Sequence, residues 1–209
     1  MLLRRVEIKA LLESVAKTWE ANIALFTDID SRFGDGDHGM AAKKIAGLIR
    51  RRVDEWGDDE SVKGFLNELA RGISEIGGGS AGPLYGTIFE GFAEPLRDDT
   101  DTIDASTLRA MLACAGELME MTTKARVGDK TMMDALLPAV AAAQVCEGDV
   151  PEILLAAATA AGSGADATKK MVSKYGRARF YGEDTLGTPD AGAMSTALLF
   201  KGLEAGLTQ

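Results

Sequence analysis

Four aspartates fall within ten positions in a short glycine-containing segment, Asp28 to Gly39. Asp30, Asp35 and Asp37 are expected to converge there, because the intervening glycines accept backbone angles that other residues avoid. Carboxylates crowded into one turn repel each other, so such a cluster needs counter-charge. Mg²⁺ prefers a few carboxylates together with water and phosphate oxygens. The segment therefore predicts a site for Mg²⁺ and a phosphorylated ligand, with a solvated turn of helix-capping side chains as the alternative.

A calcium loop of the EF-hand type does not fit the same segment. Such a loop needs glycine at its sixth position and glutamate at its twelfth. Counting from Asp28, Asp30 or Asp35 gives phenylalanine, aspartate or methionine at the sixth position, and glycine or alanine at the twelfth. Every frame fails.

A second segment, Gly77 to Gly82, matches the pattern GxGxxG by letter. A dinucleotide fingerprint should follow a strand, whereas a helical pattern precedes this one, so a Rossmann interpretation is rejected. Backbone without side chains at a helix N-terminus still suits a phosphate, because it presents N–H groups and the positive end of the helix dipole. A tight turn between two helices is the alternative.

Two further loops carry residues that could bind a ligand. In Val127–Met132, Asp129 is predicted to cap the following helix, Lys130 adds a cation and Met132 could line an adenine pocket, although plain capping explains the loop equally well. The segment Gly176–Gly192 is too long and glycine-rich for a simple connection, which is typical of a lid. Its arginines, Arg177 and Arg179, are candidate hydrogen-bond donors to phosphate groups, with a surface salt bridge as the alternative for either.

Apolar residues recur at helical spacing along nearly the whole chain, and no stretch alternates as a strand would. The pattern predicts an all-α fold, residues 1–209 as one domain, arranged as an eight-helix antiparallel up-and-down bundle. Because neighbouring helices alternate in direction, the four loops that enter helices two, four, six and eight should share one end. The predicted helices cover about 11–26, 40–56, 61–76, 83–96, 105–124, 130–147, 151–175 and 192–206.

Composition excludes several function classes. The net charge of −9 argues against a nucleic-acid partner, which normally meets a basic face. The most apolar windows are shorter than the roughly 20 residues that cross a bilayer, and no signal sequence is evident at the N-terminus, so no membrane association is expected. The two cysteines, Cys114 and Cys146, have no metal-type spacing and are interpreted as core residues of a cytoplasmic protein.

Together the four loops resemble the L subunit of dihydroxyacetone kinase, the ADP-binding subunit. The resemblance spans nearly the whole chain and keeps the family's order. Its pieces are Gly34-Asp-Gly-Asp-His-Gly39, Gly78-Gly-Ser-Ala-Gly-Pro-Leu-Tyr-Gly86, Gly128-Asp-Lys-Thr-Met132 with Asp134-Ala-Leu-Leu-Pro138, and Gly176-Arg-Ala with Tyr181-Gly-Glu183.

The resemblance implies an eight-helix barrel with ADP or ATP and two Mg²⁺ at one end. By position, Asp30, Asp35 and Asp37 correspond to the magnesium ligands and act in catalysis together with Arg177. The remaining nucleotide-binding positions implied by the resemblance are His38, Gly39, Met40, Ala41, Gly78, Gly79, Ser80, Thr131, Met132, Asp190, Ala191 and Gly192.

In that family the ketone is held on a separate K subunit, so the resemblance implies a K-type partner. Either a phosphohistidine carrier of the phosphotransferase system rephosphorylates bound ADP, or ATP is an exchanging substrate. The acceptor, dihydroxyacetone or a tetrulose, and the oligomeric state, including a homodimer, stay open. Alternative hypotheses are an ADP-loaded regulatory module without transfer activity and a metal-dependent phosphatase.

Overall fold

The computed structural model describes residues 1–77 and 79–208, within which the regular secondary structure is helical apart from an isolated β-bridge between Leu3 and Ile103. The all-α prediction is confirmed. The α-helices of these residues are α1 (Arg5–Ala21), α2 (Ile23–Ser31), α3 (His38–Glu55), α4 (Val62–Ser74), α5 (Ala81–Ala93), α6 (Ala105–Thr122), α7 (Met133–Val145), α8 (Val150–Ala167) and α9 (Ala191–Ala205). Short 3₁₀ segments cover Thr168–Lys170, Ala178–Thr185 and Gly206–Thr208.

The helices form a closed ring in which each packs against the next and α9 returns to α1. Their apolar faces meet in a core that includes Trp19, which packs edge-on against Tyr85 with ring centroids 4.8 Å apart. Gly91 lets α5 approach α6 so closely that a Cβ there would overlap the backbone of Ala115. Helices at such short distances hold the loops at their ends in fixed relative positions.

The first predicted helix, over 11–26, is wrong as a single element. The structure has two helices there, α1 and α2, which meet at Asn22. The side-chain amide of Asn22 donates to the carbonyl of Thr18 at 2.8 Å, a local bond of the kind that competes with helix propagation. The described residues therefore hold nine α-helices instead of eight, and α1 and α2 together lie between α9 and α3 in the ring.

The helix over 130–147 begins later than predicted, and Asp129 is not its cap. The N-cap position is Met132, and α7 starts at Met133. Asp129 instead pairs with the ammonium of Lys174 at 2.6 Å. The helix predicted to extend to residue 175 ends at Ala167, because the chain turns into a 3₁₀ segment and then extended backbone.

Other local signals were interpreted correctly. Asp104 caps α6, where its carboxylate accepts the N–H of Thr107 at 2.7 Å. Pro83 lies in the first turn of α5.

The prediction that the two cysteines are core residues is wrong. They are half-buried free thiols at the margin of the core and not within it. None of the described helices combines the length and apolarity that a bilayer-spanning segment requires.

Candidate functional site

Three carboxylates converge at the junction of α2 and α3, and we call Asp30, Asp35 and Asp37 the acidic cluster. Asp30 lies in the last turn of α2, and the other two lie in the loop before α3. One carboxylate oxygen from each lies within 4.8 Å of the other two. Gly34 makes this possible, since a Cβ there would overlap the Asp30 carboxylate. The predicted convergence is therefore present.

The cluster is electrostatically strained. Burial raises the pKa of Asp37, and the nearby carboxylates of Asp35 and Asp30 raise that pKa further. Arg177 lowers the pKa of Asp37, and its guanidinium lies 2.7 Å from the carboxylate of Asp35. One arginine among three carboxylates leaves an excess of negative charge, which favours binding of cations.

Two helix N-termini at this site lack side-chain caps. Asp37 is the N-cap residue of α3 and Ser80 that of α5, yet neither side chain accepts a hydrogen bond from its helix. The first-turn N–H groups of a helix carry partial positive charge and bind anions when no side chain occupies them. The arrangement thus sets two helix ends that could hold an anion beside a cluster that could hold a cation. At α3 the N–H of His38 already donates to the Asp30 carboxylate at 3.3 Å.

The glycine loop lies against the acidic cluster. Gly79 has φ +107°, and a Cβ there would come within 3.4 Å of the Asp37 carboxylate. Only glycine adopts such a backbone conformation readily. Gly78, the other glycine named for this loop, is outside the described residues. The loop therefore brings bare backbone next to the carboxylates.

Residues 171–190, which we call the lid segment, cover the cluster from the other side. Besides the Arg177 contact, Tyr181 packs edge-on against Phe33 in the acidic loop, with centroids 5.3 Å apart. Gly176 and Gly182 flank this part of the segment, and both have positive φ. Arg179 is not among the residues of the site; its guanidinium lies over the ring of Phe180.

All four loops border one cavity of about 570 Å³, as the alternating helix directions predict. This volume is in the range of small-molecule sites. The candidate residues that line the cavity are Asp30, Asp35, Asp37, His38, Gly79, Ser80, Thr131, Met132, Arg177, Asp190, Ala191 and Gly192.

Three candidates do not line the cavity. Gly39 is buried against α2, where a Cβ would overlap Thr27 and the carbonyl of Ile23. Met40 is half exposed on the outside of α3, and Ala41 is buried in the core. These residues therefore contribute to the packing of α3, and the N–H of Ala41 is already used inside the helix, where it donates to the carbonyl of Asp37 at 3.0 Å.

A buried hydroxyl network supports His38, and sequence reasoning missed it. The ring Nε2 of His38 lies 2.7 Å from the hydroxyl of Ser195, which lies 2.6 Å from the hydroxyl of Tyr85. Trp19 donates its indole N–H to the carbonyl of Ser195. Burial lowers the pKa of His38, against a smaller upward effect of Asp30. Serine and tyrosine are common in helices, so nothing in the sequence marked these residues.

Residues 126–134, which we call the lysine turn, contain a second charged group. Lys130 is only 3% exposed, and its ammonium donates to the carbonyls of Thr168, Thr185 and Thr188. The carboxylate of the buried Asp134 accepts the N–H of Gly128 at 2.6 Å and of Thr131 at 2.7 Å. The sequence indicated a cation near the site, but not that this cation is enclosed.

Comparisons with known proteins identify the family of this chain. Residues 32–205 match the DAK2 domain family. The chain is 33% identical over 181 residues to the PEP-dependent dihydroxyacetone kinase 1 ADP-binding subunit DhaL of Listeria innocua, covering 87% of this chain and 86% of that protein. It is 31% identical to the L-erythrulose kinase of Pectobacterium atrosepticum, covering 95% of this chain and 34% of that one.

The fold is also found in a solved structure, the dihydroxyacetone kinase of C. freundii in complex with AMP-PNP and Mg²⁺. The TM-score is 0.73 at 24% identity, covering 98% of this chain and 34% of that one. The chain thus spans most of the Listeria subunit and about a third of the longer kinases. On the extent of the domain match and the similarity to the Listeria subunit, the chain belongs to the DAK2 domain family.

Proposed function

We propose that residues 1–209 act as one nucleotide-binding domain, the phosphotransferase subunit of a dihydroxyacetone or related short-ketose kinase. The observation that carries the proposal is the meeting of the acidic cluster with the uncapped N-termini of α3 and α5 in one cavity. Divalent cations and a polyphosphate satisfy both halves of such a site at once. The names of the relatives, an ADP-binding subunit and kinases, support the same assignment.

The acidic cluster is the proposed holder of two Mg²⁺ ions. Asp30, Asp35 and Asp37 each offer a carboxylate oxygen within 4.8 Å of the other two, and only one arginine, Arg177, pairs with this cluster among the described residues. Hard oxygen donors of this kind fit Mg²⁺, which keeps part of its shell for water and phosphate. Bound Mg²⁺ would neutralise charge on the transferring phosphoryl group.

The protein's own groups hold the nucleotide in the proposed complex. Backbone N–H groups of Gly79, Ser80 and the first turn of α3 face the phosphates, and Arg177 supplies a mobile cation from the lid segment. Thr131 and Met132 with the turn Asp190–Gly192 border the part of the cavity assigned to the nucleoside. These groups contribute positioning and electrostatic stabilisation and form no covalent bond.

The ketone is proposed to bind a separate K-type subunit. The single histidine of the chain is His38, whose ring is engaged by Ser195 inside the barrel and so is not free to bind a carbonyl compound. The phosphoryl donor is either ATP or a phosphohistidine carrier that recharges bound ADP. The "PEP-dependent" name of the Listeria relative favours the carrier, whereas the two erythrulose kinases among the relatives favour a tetrulose acceptor as the alternative.

Calorimetry tests the nucleotide and metal site directly. We expect Asp35→Asn and Asp37→Asn each to abolish Mg²⁺-dependent ADP binding while the helical circular dichroism stays unchanged. Asp28→Asn is the matched control, because Asp28 is exposed, pairs with Arg32 at 3.0 Å and lies outside the cluster. ADP affinity equal to that of the unsubstituted protein in both cluster variants contradicts the proposal.

A reconstituted assay tests the reaction. The chain is combined with a K-type subunit, dihydroxyacetone or erythrulose, and either ATP or a phosphorylated phosphohistidine carrier. Formation of the ketose phosphate identifies donor and acceptor. Retained nucleotide without transfer to any acceptor supports a regulatory module instead, and release of inorganic phosphate without acceptor supports a phosphatase.

A further inference from the structure

Lys130 is enclosed by backbone and, within residues 1–77 and 79–208, makes no hydrogen bond or ion pair with another side chain. Its ammonium donates to the carbonyl oxygens of Thr168 at 2.7 Å and Thr185 at 2.9 Å, and to that of Thr188. An ammonium group has three N–H donors, so all of them are used. Although Lys130 borders the cavity, it therefore has no donor left for a phosphate.

The backbone of the lysine turn directs this side chain inward. Lys130 has φ +59°, a left-handed conformation that is unfavourable for a residue with a side chain. Asp134 holds the conformation from both sides, since its carboxylate accepts the N–H groups of Gly128 and Thr131. A strained backbone kept by a buried carboxylate indicates that the inward direction of Lys130 is required.

The three carbonyls lie at the two ends of the lid segment. Thr168 follows α8 and lies three residues before the lid segment begins, and Thr185 and Thr188 lie in its last part. The two ends also bond to each other, through Gly187 N–H to the Lys169 carbonyl at 2.7 Å. Lys130 thus connects both ends of the lid segment to the turn before α7.

This connection is adjacent to the residues that border the cavity. Thr131 and Met132 directly follow Lys130, and Asp190 begins two residues after Thr188. Asp190 donates its N–H to the hydroxyl of Thr168 at 2.9 Å, so one threonine bonds both Lys130 and the Asp190 turn. A shift at Lys130 would move both walls of the nucleoside end of the cavity relative to each other.

We propose that Lys130 is a positioning residue that locks the base of the lid segment to the lysine turn and so sets the nucleoside end of the cavity. The inference rests on the proposed nucleotide site. Lys130 acts through Thr131, Met132 and Asp190 and does not touch the ligand. Arg177 lies in the part of the lid segment between Gly176 and Gly182, outside the contacts made by Lys130.

The test compares Lys130→Met with Lys170→Met. Lys170 is the control because it is exposed and lies in the same 3₁₀ segment as Thr168. ADP affinity in the presence of Mg²⁺ is measured by calorimetry well below the melting temperature of each variant, so that only folded protein is titrated. We expect Lys130→Met to weaken ADP binding at least about tenfold, because small displacements of positioning groups cost that much, and Lys170→Met to leave it unchanged. Hydrogen exchange should accelerate more in residues 126–132 and 171–190 than in α4 and α5.

A purely structural role predicts the same loss of stability but a different affinity. In that case folded Lys130→Met keeps the ADP affinity of the unsubstituted protein, and that affinity overturns the inference. If Lys130→Met does not fold, Thr168→Val replaces it, since it removes only the hydroxyl that bonds Asp190. We expect a roughly threefold loss of ADP affinity, and no loss overturns the inference. If the unsubstituted protein binds no ADP with Mg²⁺, the proposed function itself fails.

Discussion

The acidic cluster and the lysine turn border the same cavity and both contain charged residues, but the protein satisfies these charges differently. The carboxylates of the cluster lie close to one another, and the exposed Arg177 lies 2.7 Å from Asp35 as a counter-charge. Lys130 and Asp134 are enclosed, and their donors and acceptors meet backbone groups at hydrogen-bond distance. The carboxylates of the acidic cluster repel one another, whereas the charged groups of Lys130 and Asp134 are stabilised by hydrogen bonds. Stability measurements on the ligand-free protein can test this difference.

Lys130→Met should give the largest loss of stability. It leaves three buried carbonyls without their donor, and burial already opposes the charged form, since it lowers the pKa of Lys130. We expect the free energy of unfolding to fall by about 3 kcal/mol in urea denaturation without ligand. A loss below about 1 kcal/mol, similar to that of Lys170→Met, would mean that the enclosed region is not a stabilising one.

Asp134→Ala should have the next largest effect. The N–H groups of Gly128 and Thr131 lose a charged acceptor, and the left-handed backbone of Lys130 loses its support. We expect a loss of about 2 kcal/mol in the same denaturation experiment. Because the two residues belong to one network, the double variant Lys130→Met/Asp134→Ala should lose less than the sum of the single losses. Strict additivity would contradict the network.

Asp190 lies between the two regions and should give stability a pH dependence. Burial raises the pKa of Asp190 from its ordinary value of 3.8 to about 6, and Asp134 and Asp30 contribute in the same direction. The folded state therefore binds more protons than the unfolded state between about pH 4 and 6, so this group's contribution decreases as pH rises through that window, by about 2–3 kcal/mol. Asp190→Asn keeps the cap on α9 and should remove this slope, as pH-dependent urea denaturation would show.

Asp37→Asn should have the smallest effect, with the opposite sign. Removing one charge relieves repulsion from Asp35 and Asp30, so the ligand-free protein should gain less than about 1 kcal/mol. With Mg²⁺ and ADP present, the variant should instead melt below the unsubstituted protein, because only the latter gains stability from binding. A clear loss of stability without ligand would indicate that the cluster is structural.

Much of the site could be predicted from the sequence, because the loops are recognisable by their glycines and charged residues. Aspartates alternating with glycines in Asp30–Gly39 gave the acidic cluster, and alternating helix directions gave the shared end of the four loops. The roles of these residues in nucleotide binding stay a prediction. Helix limits were less accurate where side chains decide them locally: the break at Asn22 and the contact of Asp129 with Lys174 depend on one hydrogen bond or ion pair each.

The sequence by itself determined the all-α class, the loops with ligand-binding chemistry and the convergence of those loops, since apolar periodicity and glycine-rich interruptions are local properties of the chain. Only the tertiary structure decided which charged residue lies among like charges and which has all its hydrogen-bond donors satisfied. Asp35 and Lys130 are both charged residues in glycine-containing loops, yet Asp35 has an exposed arginine beside it, whereas Lys130 bonds three carbonyls that lie 38 to 58 residues away in the sequence. Such partners are fixed by how the helices pack, and no local pattern specifies them.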